Sequence, residues 1–490
     1  MVNLRPVLLV TGALIALLGL AMTIPMLVDL SSSDPAKQVN WVAFASASII
    51  AIFTGGGLVA SSWGQIQTLS VKEGFLLTAT SWIGLVAFAA LPFWLGVLDM
   101  TYVDAFFESM SGMTTTGSTV ITGLDDAPLG LLLWRSMLQW FGGVGIIIMA
   151  FAVLPALQVG GMQIFKSEAW DTSEKFVSNA AQYSTYLSVI YLVLTLLCFM
   201  CLWGFGMDAF DAMNHAMTTI ATGGFSTKDA SLGAFLSTND APLDIIVSIF
   251  MIIGSLPFGL FLIAILRGQI NRLIDDSQVQ FFLSLVIALT LFMVIFVYDR
   301  FNIDLFTAFR LALFNVVSIL TGTGYATTAY DSWGGFAIGF FFCLMFIGGC
   351  AGSTSCGLKI FRFQVALAAF QLYARRLAHP HGVFVARYNG RPIADDVFIS
   401  VLSFFFVYFA SFATLAVLLA TFGLDPLTAI SGAGTAIANV GPGLGPIIGP
   451  SGNFGSLPDG AKILMSIGML LGRLEFLTLF VILSPAFWRR

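Results

Sequence analysis

Ten long apolar segments constrain this chain more than any other feature of its sequence. Each holds about 20 or more mostly apolar residues, the length that a helix needs to cross the ~30 Å hydrocarbon core of a bilayer. Only 10% of the 490 residues are charged and 58% are hydrophobic, whereas soluble domains carry roughly 25% charged residues. The sequence therefore predicts an all-α integral membrane protein, with spans at about 7–29, 41–62, 74–98, 131–156, 180–205, 243–266, 279–298, 333–358, 396–422 and 461–487.

Four shorter apolar stretches lie between these spans, at about 103–113, 209–220, 304–319 and 426–437. They are too short to cross the bilayer, and a stretch of about 10–14 apolar residues is compatible with a re-entrant helix. After the first two spans, the order span, short helix, Gly/Thr-rich loop, span occurs four times. We therefore expect two extra N-terminal transmembrane helices followed by four membrane–pore-loop–membrane repeats around a central pore, with boundaries 1–66, 67–165, 166–272, 273–385 and 386–490.

The Lys and Arg residues outside the spans are distributed unequally between the two faces of the predicted topology. Cytoplasmic loops of membrane proteins carry an excess of these residues. If the N-terminus is cytoplasmic, one face receives 14 of the 21 and the other receives six, namely Lys37, Arg135, Lys228, Arg300, Arg310 and Lys462. Both termini are therefore expected in the cytoplasm, and the short helices with their loops are expected to enter from outside.

The loops that follow the four short helices can be aligned with one another. Loop 1 (113–120), loop 2 (218–227), loop 3 (318–328) and loop 4 (437–447) share a glycine column when Phe225 is set opposite Tyr325. Three consecutive columns, called the first, second and third positions below, hold Thr115, Thr116 and Gly117 in loop 1, Thr222, Gly223 and Gly224 in loop 2, Gly322, Thr323 and Gly324 in loop 3, and Asn439, Val440 and Gly441 in loop 4.

This pattern is typical of a potassium site built from backbone oxygens. An ion inside a membrane must replace its hydration shell, and potassium filters do so with the carbonyls of loops that resemble TVGYG. Successive carbonyls can face one axis only if some residues adopt left-handed angles, which glycine reaches at little cost. We therefore predict that these twelve residues coordinate K⁺, with Thr hydroxyls and the Asn439 amide oxygen as further ligands. For any single loop, a turn or helix-packing role of the glycine is the alternative.

The short helices carry acidic residues at or near their N-terminal ends, where a carboxylate caps free N–H groups and interacts favourably with the positive end of the helix dipole. These residues are Asp104, Asp211, Asp304 and Asp425, and Pro426 occupies a first-turn position. The opposite, negative ends of the four helices are then expected to point toward the ion path.

At these loops the chain resembles the Trk/Ktr/HKT potassium-transporter superfamily, and the two extra N-terminal spans favour its Trk branch. The motifs that carry the resemblance are TTTGSTV, ATGGFST, TGTGYATT, ANVGPGLG, GGCAGSTSCGLKIFR (348–362) and GRLEF (472–476). The resemblance implies potassium uptake across a bacterial inner membrane, a homodimer, and a cytoplasmic regulatory subunit of the TrkA type. A nucleotide is expected only on that subunit, no cofactor is expected to be bound covalently, and no nucleic acid partner is expected. In related proteins a Ser in place of the loop 1 glycine is associated with sodium permeability, so Gly117 favours potassium.

The span of the third repeat runs into a segment rich in Gly and Ser, where a helix is expected to break because each Gly costs ~1 kcal/mol relative to Ala. Its residues include Gly348, Gly349, Gly352, Ser353, Thr354, Ser355 and Gly357. The resemblance implies an intramembrane loop below the filter that gates conduction, with Arg473 hindering ions in the closed state. A charge within a span indicates function by default. The alternatives are a packing seam of small residues and a structural pairing of Arg473 with free carbonyls.

A coupled symporter and a membrane enzyme are the two alternatives to a conductive pore. A proton- or sodium-coupled symporter tends to place acidic residues at mid-membrane, and within the predicted spans only Glu475 meets that condition. A membrane enzyme needs convergent His, Asp, Glu or Cys groups, which three scattered histidines and dispersed carboxylates do not supply. The sequence therefore favours a transport protein that is not an enzyme and whose only metal is the K⁺ at its filter.

Overall fold

The computed structural model describes residues 3–32, 40–64, 70–152, 180–236, 241–474 and 476–489, and most of these residues are helical. The N-terminal part consists of α1 (Leu4–Ala21), α2 (Thr23–Ser31) and α3 (Trp41–Ser62). Leu4–Ser31 forms one apolar span with a break at Met22. Lys37, Lys166, Lys175 and Glu475, which enter the predictions made from the sequence, lie outside the described residues.

The helices of the four repeats follow in chain order. The first two repeats contain α4 (Val71–Ala89), α5 (Leu91–Trp94), α6 (Tyr102–Met113), α7 (Leu129–Ala152), α8 (Ala180–Gly204), α9 (Ala209–Ile220), α10 (Gly233–Leu236), α11 (Leu243–Gly254), α12 (Phe258–Arg267) and α13 (Asn271–Ile274), with a 3₁₀ turn at Leu124–Asp126. The last two contain α14 (Ser277–Phe301), α15 (Leu305–Leu320), α16 (Gly335–Met345), α17 (Ile360–Ala378), α18 (Asp395–Ala420), α19 (Pro426–Ala438), α20 (Asp459–Arg473), α21 (Leu477–Leu483) and α22 (Pro485–Trp488), with a 3₁₀ turn at Tyr330–Trp333. Between α17 and α18, strands β1 (Arg387–Tyr388) and β2 (Arg391–Pro392) form a small antiparallel hairpin.

Seven of the ten predicted spans are confirmed as continuous stretches that are long and apolar enough to cross a membrane, within the described residues. The other three are interrupted. The span predicted at 243–266 bends by 88° between α11 and α12, because Pro257 has no N–H to donate and its ring clashes with the preceding turn. The span predicted at 333–358 is helical only to Met345, and the span predicted at 461–487 stops at Arg473 before α21 begins.

The four short helices α6, α9, α15 and α19 each begin at a polar side chain that accepts a hydrogen bond from the first turn. These caps are Thr101, Asp208, Asp304 and Asp425. All four acidic residues therefore lie at or near the N-terminal ends as predicted, Asp304 and Asp425 as caps and Asp104 and Asp211 in the first turn. The Thr307 backbone N–H holds the pKa of Asp304 below its ordinary value, so this carboxylate stays charged beside the positive end of its helix.

The two ends of the chain meet at one end of the bundle. The Lys72 ammonium donates to the carbonyl oxygens of Phe487 (2.7 Å) and Arg489 (3.1 Å). The backbone N–H of Asn3 donates to Glu73 at 2.9 Å, and Glu73 also closes a capping box with Ser70 at the start of α4. These contacts place both ends of the described chain on the same side, as the topology predicts.

Small residues bring α1 and α3 into close contact. A Cβ built on Gly55 would lie 2.5 Å from the Gly12 carbonyl oxygen, and one on Gly12 would lie 2.8 Å from the Gly55 carbonyl oxygen. The Ser48 hydroxyl donates to the Gly19 carbonyl at 2.7 Å in the same contact. In a bilayer such close packing stabilises helix association, since lipid tails are as apolar as the side chains they would replace.

The substitution Gly55→Leu is expected to separate α1 from α3 and to destabilise the protein by about 1–3 kcal/mol, the usual cost of overpacking. Gly56→Leu is the matched control, because nothing lies within 4 Å of a Cβ at Gly56. Thermal midpoints of the purified variants in detergent measure the effect. Equal midpoints for the two variants would contradict the contact.

Candidate functional site

The first and third positions of all four loops have left-handed backbone angles. At the first position φ is 52° at Thr115, 50° at Thr222, 71° at Gly322 and 53° at Asn439. At the third position φ is 90° at Gly117, 81° at Gly224, 83° at Gly324 and 112° at Gly441. Non-glycine residues rarely adopt such angles, so the shared geometry of Thr115, Thr222 and Asn439 shows that the four loops follow one backbone path.

The second position of each loop closes the end of its helix. Its backbone N–H donates to the carbonyl five residues earlier, from Thr116 to Ser111 (2.8 Å), Gly223 to Thr218 (2.8 Å), Thr323 to Ser318 (2.9 Å) and Val440 to Thr435 (3.2 Å). Such a bond satisfies a carbonyl that the ending helix would otherwise leave free. The left-handed first position is therefore the turn that lets each loop leave its helix.

The four loops contact one another in a closed ring. A Cβ on Gly117 would lie 2.3 Å from the Gly223 oxygen of loop 2, and one on Gly224 would lie 1.8 Å from the Thr323 oxygen of loop 3. A Cβ on Gly324 would lie 1.9 Å from the Val440 oxygen of loop 4, and one on Gly441 would lie 2.8 Å from the Thr116 oxygen of loop 1. Only glycine fits these third positions, and the order of contacts is 1, 2, 3, 4 and back to 1.

One cavity of about 70 Å³ is lined by all four third-position glycines. Its wall also includes Ser118, Arg135, Lys228 and Asp229. The twelve residues predicted from the sequence are therefore brought together by the fold, and their third positions face a common space.

Side chains behind the loops fix their carbonyls. The Gln139 amide donates to the Gly223 oxygen at 2.6 Å and accepts from the Phe225 N–H at 3.0 Å. The Ser118 hydroxyl donates to the Gly441 oxygen at 2.6 Å. The Asn439 amide nitrogen donates to the Thr116 hydroxyl (2.8 Å) and to the Met469 carbonyl (2.9 Å), while no hydrogen bond to its amide oxygen is found in the described chain. Sequence reasoning missed Gln139, which lies on α7 far from the loop motifs.

Each junction between consecutive repeats contains a charged side chain. Arg135 donates to the Ser226 carbonyl at 2.7 Å, Asp244 pairs with Arg310 at 2.8 Å, Asp331 accepts from the Gly445 N–H at 3.2 Å, and Lys462 pairs with Asp104 at 2.5 Å. Arg135 and Lys462, which the sequence analysis counted among the charges of the outer face, lie within helices and are buried. A count of charges outside apolar segments could not distinguish a buried ion pair from a solvated loop residue.

Below the ring, residues 346–359 form a non-helical segment, called the inner loop here, which contains all seven Gly, Ser and Thr residues predicted for a gate. The segment folds back on itself, since Gly348 N–H donates to the Leu358 carbonyl (2.8 Å) and Ile360 N–H donates to Gly349 (3.1 Å). Gly352 and Gly357 have left-handed angles, with φ of 73° and 72°. The helix therefore breaks where the Gly/Ser content predicts.

The inner loop packs into the break between α11 and α12. Cys350 N–H donates to the Ser255 carbonyl (3.0 Å), Thr354 N–H donates to Gly254 (3.2 Å), and Phe258 N–H donates to Gly352 (2.9 Å). Two broken helices thus satisfy each other's free backbone groups, which irregular backbone inside a membrane requires. The sequence analysis predicted only one of these two breaks.

The tip of the inner loop contacts the inner ends of three filter-like loops. The Ser355 hydroxyl donates to the Thr321 carbonyl at 2.7 Å, and the Thr354 hydroxyl donates to the Ile220 carbonyl at 2.9 Å. The Cys356 sulfur lies 3.4 Å from the Thr115 hydroxyl. Ser353 bonds within the loop, to the Cys350 carbonyl at 2.6 Å.

Arg473 is the last residue of α20 and reaches the inner loop. Its Nη1 lies 3.3 Å from the Thr354 carbonyl oxygen and 2.8 Å from the Cys356 sulfur, and its Nη2 lies 3.1 Å from the Gly142 carbonyl oxygen. The residue is only 3% exposed. The sequence analysis missed Cys356, because nothing in the Gly/Ser-rich sequence around it indicates this contact.

The fold and this site define a multi-spanning membrane protein of the cation-transport class. The profile of the TrkH family, described as cation transport protein, matches residues 41–490. The chain is 45% identical to the Trk system potassium uptake protein TrkI of Halomonas elongata over 485 residues, which cover 99% of this chain and 97% of that one. It is 36% identical to the Trk system potassium uptake protein TrkH of Escherichia coli over 493 residues, which cover 99% of both chains.

A solved structure shows the same fold. The crystal structure of the potassium transporter TrkH from Vibrio parahaemolyticus matches 99% of this chain and 100% of that chain, with a TM-score of 0.90 and 34% identity. This chain belongs to the TrkH family. The resemblance seen in its loop motifs is therefore confirmed.

Proposed function

We propose that this protein carries K⁺ into bacterial cells across the inner membrane, through the ring formed by loops 1 to 4. The observation that supports it is the closed set of contacts between each third-position glycine and the second-position carbonyl of the next loop. The potassium uptake named for the relatives supports K⁺ as the ion. The repeat boundaries 67–165, 166–272, 273–385 and 386–490 and the homodimer stay predictions that accompany this proposal.

The ring offers oxygens without a formal charge, which suits an ion that must enter and leave quickly. Carbonyl dipoles replace the hydration shell of K⁺. The carbonyls that already accept a hydrogen bond, such as those of Gly223 and Gly441, keep a second lone pair for the ion. The C-terminal ends of α6, α9, α15 and α19 carry partial negative charge, and they adjoin the first positions.

Gly117→Ser is expected to lower the K⁺/Na⁺ flux ratio by about tenfold, which corresponds to ~1.4 kcal/mol. A Cβ at this residue overlaps the Gly223 oxygen and must adopt a φ of 90°, so the carbonyls of loops 1 and 2 must move. Fluxes of both ions into liposomes that hold the protein alone measure the ratio.

Gly123→Ser is the matched control for this substitution, because Gly123 also has a left-handed φ (74°) but nothing within 4 Å of a Cβ. It should leave the ratio unchanged. If Gly117→Ser folds, conducts and keeps the parent's ratio, loop 1 does not belong to the filter.

We further propose that the inner loop and Arg473 close the path below the ring. Ser355 and Thr354 tie the loop to carbonyls at the inner ends of loops 2 and 3, and Arg473 places a guanidinium against Thr354 and Cys356. A buried cation repels K⁺ more strongly than an exposed one does, since the local dielectric is low. Opening then requires the inner loop to leave both sets of contacts.

Arg473→Ala is expected to raise K⁺ flux by about tenfold in the absence of any partner, because the repulsion in a low dielectric is removed. The K⁺/Na⁺ ratio should change by less than about twofold, since the ring is untouched. Arg272→Ala, which removes an exposed charge on α13, is the control and should leave the flux unchanged. An Arg473→Ala variant that folds and conducts no more than the parent would assign Arg473 a structural role only.

Coupled symport with protons or sodium is the alternative to conduction. Glu108, the acidic residue next to loop 1, is ion-paired with Arg135 at 2.8 Å and is fully buried. A carboxylate held in this way is a poor proton carrier, because protonation would leave the guanidinium unpaired. This pairing favours a conductive path.

We also propose that a cytoplasmic, nucleotide-binding subunit of the TrkA type docks where α17 ends. Arg375 and Arg376 are exposed in its last turn, and the apolar side chains of Leu377, Val383 and Val385, which follow in the chain, are also exposed, Val383 to 93%. Arg387 and Arg391 follow in the hairpin β1–β2. Exposed apolar residues next to basic ones are typical of a protein interface.

Double substitution of Arg375 and Arg376 by Glu is expected to reduce capture of a TrkA-type protein from the same source by about tenfold, because like charges across an interface are repulsive. Arg272→Glu should have no effect on capture. If the parent captures no such protein, with or without nucleotide, the docking proposal is wrong.

A further inference from the structure

A buried ion pair lies directly behind loops 1 and 2, at the wall of the cavity that the ring lines. Glu108 on α6 and Arg135 on α7 are 0% and 1% exposed, and their Oε1 and Nε atoms are 2.8 Å apart. Two charges inside a membrane protein are costly unless every polar atom is satisfied. The groups that this pair contacts therefore indicate which part of the protein it stabilises.

Each member of the pair holds the same part of loop 1, two to three residues beyond Gly117. The Glu108 carboxylate accepts from the Thr119 hydroxyl at 3.0 Å and from the Val120 N–H at 2.9 Å. The Arg135 Nη2 donates to the Thr119 hydroxyl at 3.2 Å. Thr119 is therefore fixed from two sides.

Arg135 also holds the corresponding part of loop 2. Its Nη1 donates to the Ser226 carbonyl at 2.7 Å, and its guanidinium lies 4.1 Å from the centre of the Phe225 ring. Ser226 is two residues beyond Gly224, as Thr119 is two residues beyond Gly117. One guanidinium thus sets the spacing of two neighbouring loops at equivalent positions.

Two of the other short helices also place a polar side chain at the position of Glu108, nine residues before the third-position glycine. His215 contacts the Ser226 hydroxyl at 2.9 Å, and Asn315 donates to the Thr327 hydroxyl at 2.9 Å. In α19 the position is Gly432, and the preceding Ser431 accepts from the Leu444 N–H at 3.0 Å. Each helix therefore ties down its own loop, and only the charged pair of the first repeat also reaches the next loop in these contacts.

The pair also affects the charge that an entering cation meets. Arg135 lines the cavity together with Gly117 and Gly224. An uncompensated guanidinium there would repel K⁺ in a low dielectric. Glu108 compensates that charge from behind, so the ion pair adds no net charge to this part of the wall.

We propose that Glu108 and Arg135 are positioning residues for ion selection: together they set the spacing between loops 1 and 2, and Glu108 neutralises Arg135 at the entrance. This inference rests on the proposed K⁺ transport. Because two loops out of four are joined in this way, the first and second repeats contribute more to K⁺/Na⁺ discrimination than a symmetric ring would require.

The two halves of the proposal predict different defects. Arg135→Lys keeps the charge but loses the planar fork that reaches both Thr119 and Ser226, so the K⁺/Na⁺ flux ratio should fall by about fivefold. Glu108→Gln keeps the shape but leaves Arg135 uncompensated. The K⁺ concentration for half-maximal flux should then rise by about tenfold, more at low ionic strength than at high, while the maximal flux changes less.

Arg310→Lys is the matched control, because Arg310 forms an ion pair of the same length with Asp244 and, among the described residues, its hydrogen bonds go to Asp244 rather than to loops 1 to 4. It should leave both quantities at the parent's values. Thr119→Val removes the one hydroxyl through which both members of the pair hold loop 1, and it leaves the buried charges in place. This second variant is therefore less prone to misfold than a change to the ion pair, and it should lower the K⁺/Na⁺ flux ratio.

All variants are assayed in liposomes after their thermal midpoints have been compared with that of the parent. If the parent passes K⁺ and the folded variants of Arg135, Glu108 and Thr119 keep its ratio and half-maximal concentration, the pair is only structural and the proposal is overturned. A defect of Arg310→Lys equal to that of Arg135→Lys would also overturn it. If the parent itself passes no K⁺, the proposed function fails, and this inference fails with it.

Discussion

Close contact between a glycine of one loop and a carbonyl of the next is the constraint on which the rest of the structure depends. The distances of 1.8 to 2.8 Å from a built Cβ to the neighbouring oxygen leave no room for a side chain at any third position. Four loops can approach so closely only if the helices before them end at the same distance from one axis. The caps at the start of α6, α9, α15 and α19 fix where each helix begins, and the hydrogen bonds at their C-terminal ends fix where each helix stops.

In three of the repeats, the helix that follows the pore loop also packs closely against the end of the short helix. A Cβ on Gly142 would lie 2.0 Å from the Met113 carbonyl oxygen, and one on Gly472 would lie 2.1 Å from the Ile437 carbonyl oxygen. In the second repeat, a Cβ on Gly254 would lie 3.1 Å from the Ile220 carbonyl oxygen. Glycines on these spans therefore let helices pack directly against the C-terminal ends of the short helices, where backbone oxygens are otherwise exposed.

Breaks in the helices and buried charged side chains make the contacts between repeats that regular helices cannot make. The breaks in the second and third repeats pair with each other through the inner loop, so non-helical backbone remains satisfied inside the membrane. Arg473 ends α20 at the level of this loop and makes three contacts, two with the inner loop and one with α7. The ion pairs of Arg310 with Asp244 and of Lys462 with Asp104 join neighbouring repeats, as the hydrogen bond from Arg135 to the Ser226 carbonyl does.

The sequence by itself determined the membrane class, seven apolar spans, the four short helices, and the alignment of their loops, because these follow from the length of apolar segments and from local turn chemistry. Gly and Ser content predicted the break at 348–357 for the same local reason. Only the tertiary structure decided that the spans at 243–266 and 461–487 are also broken, and that Arg135 and Lys462 are buried partners of Glu108 and Asp104. These features depend on residues that are far apart in the chain: Gln139 beside Gly223, or Cys356 beside Thr115 and Arg473. No periodicity or spacing within one segment predicts such contacts, since they arise only when the four repeats close into one ring.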